Sequence, residues 1–222
     1  MKIVGIVGRA YYNKDNQKIF QIHETTRRVL SKYEDVTCIA ILPNGDYDYV
    51  DIIDGKDSVD SNKLDYVLKM CDGFIVPGGT YSYKLDEYVI NYAINNNKPL
   101  IGICLGFQIM CSMYAADRNK FDMTKKGVDN FHFGNSREYK HSVDICDNTR
   151  LKNILKSDSI MVNSVHHDIV NFDLNDLIIN ARSSDGVIEG VEYPNKNFII
   201  GLQWHPEYID DINTKRIFDE HY

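Results

Sequence analysis

The first half of the chain alternates between short apolar runs and longer segments whose apolar residues recur every three or four positions. The short runs predict buried strands over 3–7, 36–42, 73–76 and 99–103. The helical spacing predicts helices over 15–31, 61–71, 83–96 and 105–115. Strands without polar alternation, each followed by an amphipathic helix, indicate a parallel sheet that is covered on both faces.

The second half is richer in strands. A polar and aromatic stretch over 117–140 predicts a loop with one or two irregular strands. Strand patterns then cover 141–146, 158–163, 177–183, 187–193 and 198–204, and a last helix is predicted over 211–220. No linker or internal repeat divides the 222 residues, a length that suits one large domain. We therefore expect residues 1–222 to form a single α/β domain with a mostly parallel central sheet and extra strands in its second half.

Charge and the N-terminal pattern limit the partners. The formal net charge of −7 disfavours binding to the phosphate backbone of nucleic acid. The first apolar run, 3–7, is too short for a signal peptide or a membrane span, so no membrane association is expected. Gly5 and Gly8 lack the third glycine of a dinucleotide-binding fingerprint.

The cysteines are odd in number and widely spaced. They are Cys38, Cys71, Cys104, Cys111 and Cys146. No Cys-x-x-Cys pair occurs, so neither a zinc site nor a redox pair is indicated. Scattered cysteines of this kind are typical of a reducing cytoplasm and of buried thiols. The sequence thus predicts a cytoplasmic protein without a metal ion or cofactor.

One cysteine stands in a pattern that predicts catalysis. Cys104 follows an apolar strand, precedes a helix and is flanked two residues away by Gly102 and Gly106. This is the nucleophile elbow, a turn so sharp that its neighbours must lack bulk. The helix N-terminus then favours a thiolate and a developing oxyanion. A buried core cysteine is the alternative, and the agreement of strand, glycines and helix argues against it.

A base for this nucleophile is predicted near the end of the chain. The strand over 198–204 runs into His205, and Glu207 follows across Pro206. His205 can take the Cys104 proton and return it to a leaving amine, while Glu207 orients the imidazole. By itself, such a turn is more often a surface loop; with the elbow, it predicts a Cys-His-Glu triad.

These residues carry a family resemblance. Val76-Pro77-Gly78-Gly79, Gly102 to Gln108 and Gln203 to Glu207 resemble, in order and separation, the three motifs of the triad-type (class I) glutamine amidotransferase superfamily. The resemblance spans nearly the whole chain. It implies a flavodoxin-like, three-layer α/β/α fold with the triad above the carboxyl ends of the strands.

The resemblance also implies roles around the triad. The backbone N–H groups of Gly79 and Leu105 would form an oxyanion hole, and Gln108 would contact the amino-acid head of the substrate. Such a hole commonly stabilises a transition state by roughly 3–4 kcal/mol. Taken alone, Pro77-Gly78-Gly79 is an ordinary turn that ends a strand.

A fourth block is more discriminating. Residues 162–168, Val-Asn-Ser-Val-His-His-Asp, resemble a segment of the stand-alone γ-glutamyl-γ-aminobutyrate hydrolase branch. By that resemblance, Ser164, Val165 and His166 would line a glutamyl pocket. His167, Asp168 and Glu189 have no assigned role: His167 suits a structural histidine, Asp168 replaces the usual Gln, and Glu189 suits either a pocket residue or an exposed strand acid.

Two loops depart from the branch, at 80–83 and 113–118, and both would face the leaving amine. The leaving group therefore need not be γ-aminobutyrate. Arg118, Arg137 and Lys140 could meet an anionic leaving group, although solvated surface charge is the commoner role of such residues.

Three functions remain open from the sequence. The first is hydrolysis of a γ-glutamyl amide through a γ-glutamyl thioester, with a small molecule as the substrate. The second is a glutaminase component that supplies ammonia to a separate synthase. The third, a binding module without catalysis, is disfavoured by the intact Cys104, His205 and Glu207. Either a homodimer or a synthase partner is compatible with the sequence.

Overall fold

A computed structural model describes residues 1–43, 59–115, 123–124 and 132–221. The strands are β1 Lys2–Val7, β2 Arg9–Tyr12, β3 Lys18–Gln21, β4 Val36–Ile41, β5 Gly73–Val76, β6 Leu100–Ile103, β7 Met123–Thr124, β8 His141–Ile145, β9 Ser159–Val162, β10 Ile169–Val170, β11 Ile178–Ser183, β12 Ile188–Glu192 and β13 Ile199–Leu202. The helices are α1 Glu24–Leu30, α2 Ser61–Met70, α3 Lys84–Asn96, α4 Leu105–Met113, α5 Arg150–Leu155 and α6 Ile212–His221, with a 3₁₀ turn at Pro206–Tyr208.

One nine-stranded sheet organises the molecule, in the order β4-β1-β5-β6-β13-β12-β11-β8-β9. The five strands from β4 to β13 are parallel to their neighbours. The remaining four continue antiparallel from β13. β5, β6 and β13 are buried along their whole length, which explains why their sequences are apolar without alternation. The predicted α/β fold with extra strands in the second half is confirmed.

Helices cover both faces of the sheet and enclose two separate cores. On one face, Leu64 and Leu68 of α2, Leu85 of α3 and Ile109 of α4 share a cluster with Phe74. On the other face, side chains of α1, α5 and α6 pack against alternate positions of the same strands: Val29, Leu30, Leu151, Leu155, Ile217 and Phe218. Successive strand residues point to opposite faces, so one apolar strand supplies both cores. The result is the three-layer α/β/α arrangement.

The prediction of a helix over 15–31 is wrong in its first half. β2 and β3 form an antiparallel hairpin, and α1 begins only at Glu24. The Asn13 side chain accepts hydrogen bonds from the backbone N–H groups of Asp15 and Gln17, and Asn16 has a left-handed φ of 58°. This Asx-type turn closes the hairpin and outweighs the helical spacing of the apolar residues.

The other predicted elements agree with the structure to within about two residues at each end, the usual uncertainty of an element boundary. Within 117–140, β7 pairs with β10, which agrees with an irregular strand in that loop. The candidate Arg118 lies outside the described residues. Among the described helices, none has the length and apolar character needed to cross a membrane.

Candidate active site

Cys104 occupies a strained turn between β6 and α4. Its φ of 50° and ψ of −101° lie outside the regions that a non-glycine residue ordinarily adopts. Its backbone is fixed on both sides: its N–H donates to the Leu202 carbonyl at 2.8 Å, and its carbonyl accepts from the Gln108 N–H at 2.9 Å. As the N-cap residue of α4, Cys104 stands where free N–H groups and the helix dipole favour negative charge.

The two flanking glycines are required by close backbone approach. A Cβ at Gly106 would lie 2.0 Å from the Val76 carbonyl oxygen, and one at Gly102 would lie 2.7 Å from the Met110 sulfur. Helix α4 therefore crosses the end of β5 at a distance that only glycine permits. The elbow pattern predicts that the positions two residues before and after the nucleophile have no room for a side chain, and the structure agrees.

His205 and Glu207 lie beside this turn. β13 pairs in parallel with β6, so the residues that follow both strands meet at one edge of the sheet. His205 Nδ1 lies 2.7 Å from Glu207 Oε1, and Cys104 is close enough to the ring to raise the pKa of the imidazole. Asn163 holds the His205 backbone at both ends: its Oδ1 accepts from the N–H and its Nδ2 donates to the carbonyl, each at 2.9 Å.

The charge state of His205 follows from these neighbours. Burial alone would lower the pKa of the imidazole, but the Glu207 carboxylate and the Cys104 thiolate raise the pKa well above its ordinary value. A protonated His205 is the partner that a thiolate nucleophile needs. Because Glu207 faces Nδ1, Nε2 is left on the side of Gly78 and Cys104.

A buried ion pair lies behind the Gly78-Gly79 turn. Arg9 Nη1 donates to Asp86 Oδ1 at 2.6 Å, and both side chains are almost completely buried. The same guanidinium donates to the Pro77 carbonyl at 2.5 Å and to the Gly78 carbonyl at 3.2 Å. Arg9 thereby fixes the backbone of the turn that carries the Gly79 N–H. Sequence reasoning missed this pair, because its members lie 77 residues apart and no local motif joins them.

Gly79 and Leu105, the predicted oxyanion-hole residues, are neighbours. A Cβ at Gly79 would lie 3.3 Å from Leu105 Cδ2. Leu105 is the first residue of α4, a position whose N–H has no partner within its own helix. The two residues thus lie side by side at this edge of the sheet.

The predicted pocket residues Gln108, Ser164 and Val165 differ in the groups that they contact. Gln108 Nε2 donates to Gln203 Oε1 at 3.1 Å and to the Asp168 carbonyl at 3.3 Å, which ties α4 to the loop after β9. Ser164 is fully buried and donates its hydroxyl proton to the His132 carbonyl at 2.5 Å. Val165 forms an isolated antiparallel bridge with Phe133, so the Ser164 hydroxyl and this bridge both fix the loop to the segment 132–134.

His166, His167 and Glu189 differ in environment. His167 stacks on Phe133 with 4.1 Å between ring centroids, as a structural histidine would. His166 instead points its Nε2 towards Glu189, at 3.6 Å from Oε1. Glu189 is fully buried, which rules out the exposed strand acid that the sequence left open.

Two further features border the site. The exposed His23 lies with Nδ1 3.1 Å from the Tyr208 hydroxyl, and Tyr208 meets the His205 ring edge-on at 5.4 Å between centroids. Burial, opposed by Glu207 and assisted by His205 and Arg9, lowers the pKa of His23. Arg137 and Lys140 are both exposed, as surface charges are.

The fold and this arrangement define the class of protein, a class I glutamine amidotransferase-type domain with a cysteine at the elbow. Residues 83–207 match the Peptidase C26 family, and the chain belongs to that family. Its activity is that of a glutamine amidotransferase-type hydrolase.

Relatives agree with this assignment. The chain is 27 % identical over 212 residues to the glutamine amidotransferase-like protein RP404 of Rickettsia prowazekii, covering 68 % of this chain and 75 % of that protein. It is 30 % identical over 201 residues to the CTP synthase of Borreliella afzelii, covering 76 % of this chain but only 38 % of the synthase.

Solved structures share the fold. A GMP synthase component from Thermoplasma acidophilum superposes with a TM-score of 0.66 at 20 % identity, covering 100 % of this chain and 92 % of that one. The glutaminase domain of the Trypanosoma brucei CTPS, with bound acivicin, gives a TM-score of 0.62 at 18 % identity, covering 99 % and 92 %.

Proposed function

We propose that the chain hydrolyses the γ-amide bond of a γ-glutamyl compound, with Cys104 as nucleophile, His205 as acid and base, and Glu207 as the orienting carboxylate. The observation that carries the proposal is that Cys104 and His205 follow the adjacent parallel strands β6 and β13, with His205 paired to Glu207. Family membership supports amide chemistry at a cysteine. We further propose that residues 1–222 form one domain.

The reaction takes two steps. The Cys104 sulfur attacks the γ-carbonyl carbon, and the oxygen gains negative charge that the Gly79 and Leu105 N–H groups stabilise. The C–N bond breaks as protonated His205 gives its proton to the leaving amine, which leaves a γ-glutamyl thioester. Water then adds to the thioester with His205 as base, the C–S bond breaks, and glutamate leaves. Glu207 keeps the imidazole oriented throughout.

The test is glutamate release from L-glutamine, γ-glutamyl-γ-aminobutyrate and other γ-glutamyl amides. Wild type, Cys104→Ala and, as a matched control, Cys111→Ala are compared. Cys111 is fully buried in α4, and burial raises the pKa of its thiol well above the ordinary value, so it should be inert. We expect Cys104→Ala to lose at least roughly 10³-fold in kcat. Full activity in that variant would refute the proposal.

A second function is supported by the similarity to CTP synthase: release of ammonia from glutamine for a separate synthase. This proposal predicts little activity of the isolated chain and stimulation by a partner. Strong turnover of a substituted amide by the isolated chain, with glutamine a poor substrate, would exclude it. Activity on glutamine alone, enhanced by a co-purifying synthetase, would favour it over the hydrolase.

A further inference from the structure

Three histidines converge on one buried glutamate at the antiparallel side of the sheet. We call His132, His141, His166 and Glu189 the histidine–glutamate cluster. Glu189 Oε1 lies 3.1 Å from His132 Nδ1, 3.8 Å from His141 Nε2 and 3.6 Å from His166 Nε2. All four side chains are at most 2 % exposed. Four separate segments of the chain therefore bring ionisable atoms to a single interior point.

On each ring, the partner of the nitrogen that faces away from Glu189 shows which nitrogen carries the hydrogen atom. His141 Nδ1 lies 3.1 Å from the Ser142 carbonyl, and His166 Nδ1 lies 3.0 Å from the Asp168 carbonyl. A carbonyl oxygen can only accept, so both Nδ1 atoms must donate. His132 Nε2 likewise faces a carboxylate oxygen of Asp185 at 3.0 Å. In each neutral imidazole the nitrogen that faces Glu189 is then left with its lone pair.

This arrangement is unfavourable without positive charge at its centre. Three lone pairs would face a buried carboxylate, and acceptors at such distances repel one another in a medium of low dielectric constant. Within the described part of the chain, the His166 Nε2 atom and both Glu189 oxygens make no hydrogen bond of ordinary geometry. Either additional protons on the rings or one cation must compensate for the repulsion.

The geometry fits a cation. A tetrahedral zinc ion with bonds of about 2.0–2.1 Å separates its ligand atoms by roughly 3.3–3.4 Å. The three nitrogen–oxygen distances of 3.1, 3.6 and 3.8 Å lie on either side of that separation. The ligand atoms of His132, His141 and Glu189 all lie within 4.8 Å of one another, whereas His166 does not belong to this group.

The atoms around the cluster match those around known metal ligands. A ligating histidine almost always donates its other N–H to a carboxylate or a backbone carbonyl, which fixes the tautomer and the ring orientation. Here Asp185 does this for His132, and backbone carbonyls do it for His141 and His166. Two imidazoles and one carboxylate suit a divalent ion of the zinc class better than Mg²⁺ or Ca²⁺, which prefer oxygen ligands.

We propose that His132, His141 and Glu189 form a structural site for a divalent transition-metal ion, with zinc as the expected occupant and the His166 ring beside it. Burial leaves no open position for a substrate, so the ion would act on structure. It would fasten His132 to β8 and β12, and the His132 carbonyl accepts from the Ser164 hydroxyl and the His166 N–H of the loop 163–168. The same loop contains Asn163 with its two hydrogen bonds to the His205 backbone. None of the three residues of the metal site belongs to the proposed triad, so this proposal is independent of the substrate proposal.

The first experiment is elemental analysis of the full chain, purified without a polyhistidine tag and without chelator. We expect about one zinc-class ion per chain. Metal is then removed with a chelator and Co²⁺ is added, because tetrahedral Co²⁺ with nitrogen and oxygen ligands absorbs visible light without a sulfur-to-metal charge-transfer band. The chelated chain should melt at a lower temperature, and zinc should restore the melting temperature.

Variants locate the ion. Glu189→Gln and His141→Ala should lose the metal and change the Co²⁺ spectrum, whereas the control His167→Ala, whose ring stacks on Phe133, should keep both. Cys104→Ala should also leave the spectrum unchanged. If the cluster variants fail to fold, the Co²⁺ spectrum and the metal content of the wild type still test whether the chain binds a metal ion. A metal-free wild type without Co²⁺ bands, or a sulfur band that disappears in Cys104→Ala, would overturn the proposal.

Discussion

At the scale of single residues, the Cys104 turn combines a positive φ with glycines on both sides. The strain of a non-glycine residue at φ 50° costs on the order of 1–3 kcal/mol and persists only where the surroundings enforce it. Here the enforcing contacts are the backbone hydrogen bonds to Leu202 and Gln108 and the close crossing of Gly106 over Val76. The turn thus places Cys104, which is buried at the border of the second core, at the N-terminus of α4.

The close crossing gives a prediction for Gly106→Ala. Its methyl group would collide with the Val76 carbonyl, so the helix must shift, at a cost of about 1–3 kcal/mol in the free energy of unfolding. Gly186→Ala is the control, because its methyl meets nothing within 4 Å and only its φ of 88° adds strain. Urea unfolding and glutamate release are measured on both. Activity that survives in Gly106→Ala but falls in Gly186→Ala would contradict this account.

Glu207→Gln tests the electrostatics of His205. Removal of the carboxylate charge should lower the pKa of His205 and reduce kcat by up to roughly 10⁴-fold, since the imidazolium loses its partner. The sign follows from the raised pKa in the folded state: pairing stabilises the protein at low pH, and that stabilisation is lost as pH rises through the raised pKa. The His205 ring proton is followed by NMR over pH. An identical titration in both chains would count against the pairing.

At the scale of elements, the β2–β3 hairpin places the first residue of β2, Arg9, beneath the Pro77-Gly78-Gly79 turn. Asp86, near the start of α3, meets that guanidinium and also accepts from the Tyr83 N–H as part of the helix cap. The Tyr83 hydroxyl in turn accepts from the Ala10 N–H at 3.0 Å, which joins the cap to β2. Hairpin, turn and helix therefore depend on one buried ion pair.

The ion pair should matter both for stability and for catalysis. Asp86→Leu leaves Arg9 buried without its counter-ion, which should cost about 3–5 kcal/mol in the free energy of unfolding. Arg9→Met with Asp86→Leu should recover much of that stability but not the activity, because Pro77 and Gly78 lose the guanidinium. Urea unfolding and steady-state kinetics on the four chains of the cycle provide the measurement. A double variant with wild-type kcat would show that Arg9 does not position the turn.

At the scale of the whole molecule, the last helix closes the second core against the sheet. His221, at the end of α6, has its Nε2 3.1 Å from the Phe74 carbonyl in β5. Because a carbonyl only accepts, the ring is held with hydrogen on Nε2. Burial lowers the pKa of His221 to about 4. The C-terminal helix is thereby tied to the middle of the fold by a group that must stay neutral.

This attachment predicts a loss of stability in mild acid. A histidine whose folded pKa is depressed stabilises the protein above its unfolded pKa near 6.5, and that contribution, about 3 kcal/mol here, is lost as pH falls towards 4. His221→Phe keeps an aromatic ring without a titrating group and should show a shallower decline. Urea unfolding between pH 7 and 4 compares the two chains. Parallel declines would show that other groups cause the acid sensitivity.

Much of the fold could be predicted from the sequence because its strands are apolar without alternation and its elbow carries a local signature. The succession of strands and helices, the Cys104 turn and the His205-Pro206-Glu207 segment all depend on neighbours in the chain. The prediction of a helix over 15–21 failed because the apolar residues of this segment fit a helical stripe equally well. The turn that Asn13 and Asn16 form stabilises the hairpin instead.

The sequence by itself therefore determined the α/β architecture, the family and the candidate nucleophile, since each is encoded in periodicity or in a short motif. The tertiary structure alone decided the Arg9–Asp86 pair and the histidine–glutamate cluster. Their members come from distant segments with no fixed spacing, and Glu189 looks like any strand acid until the fold buries it. Contacts between distant segments depend on how strands and loops pack, which no local pattern records.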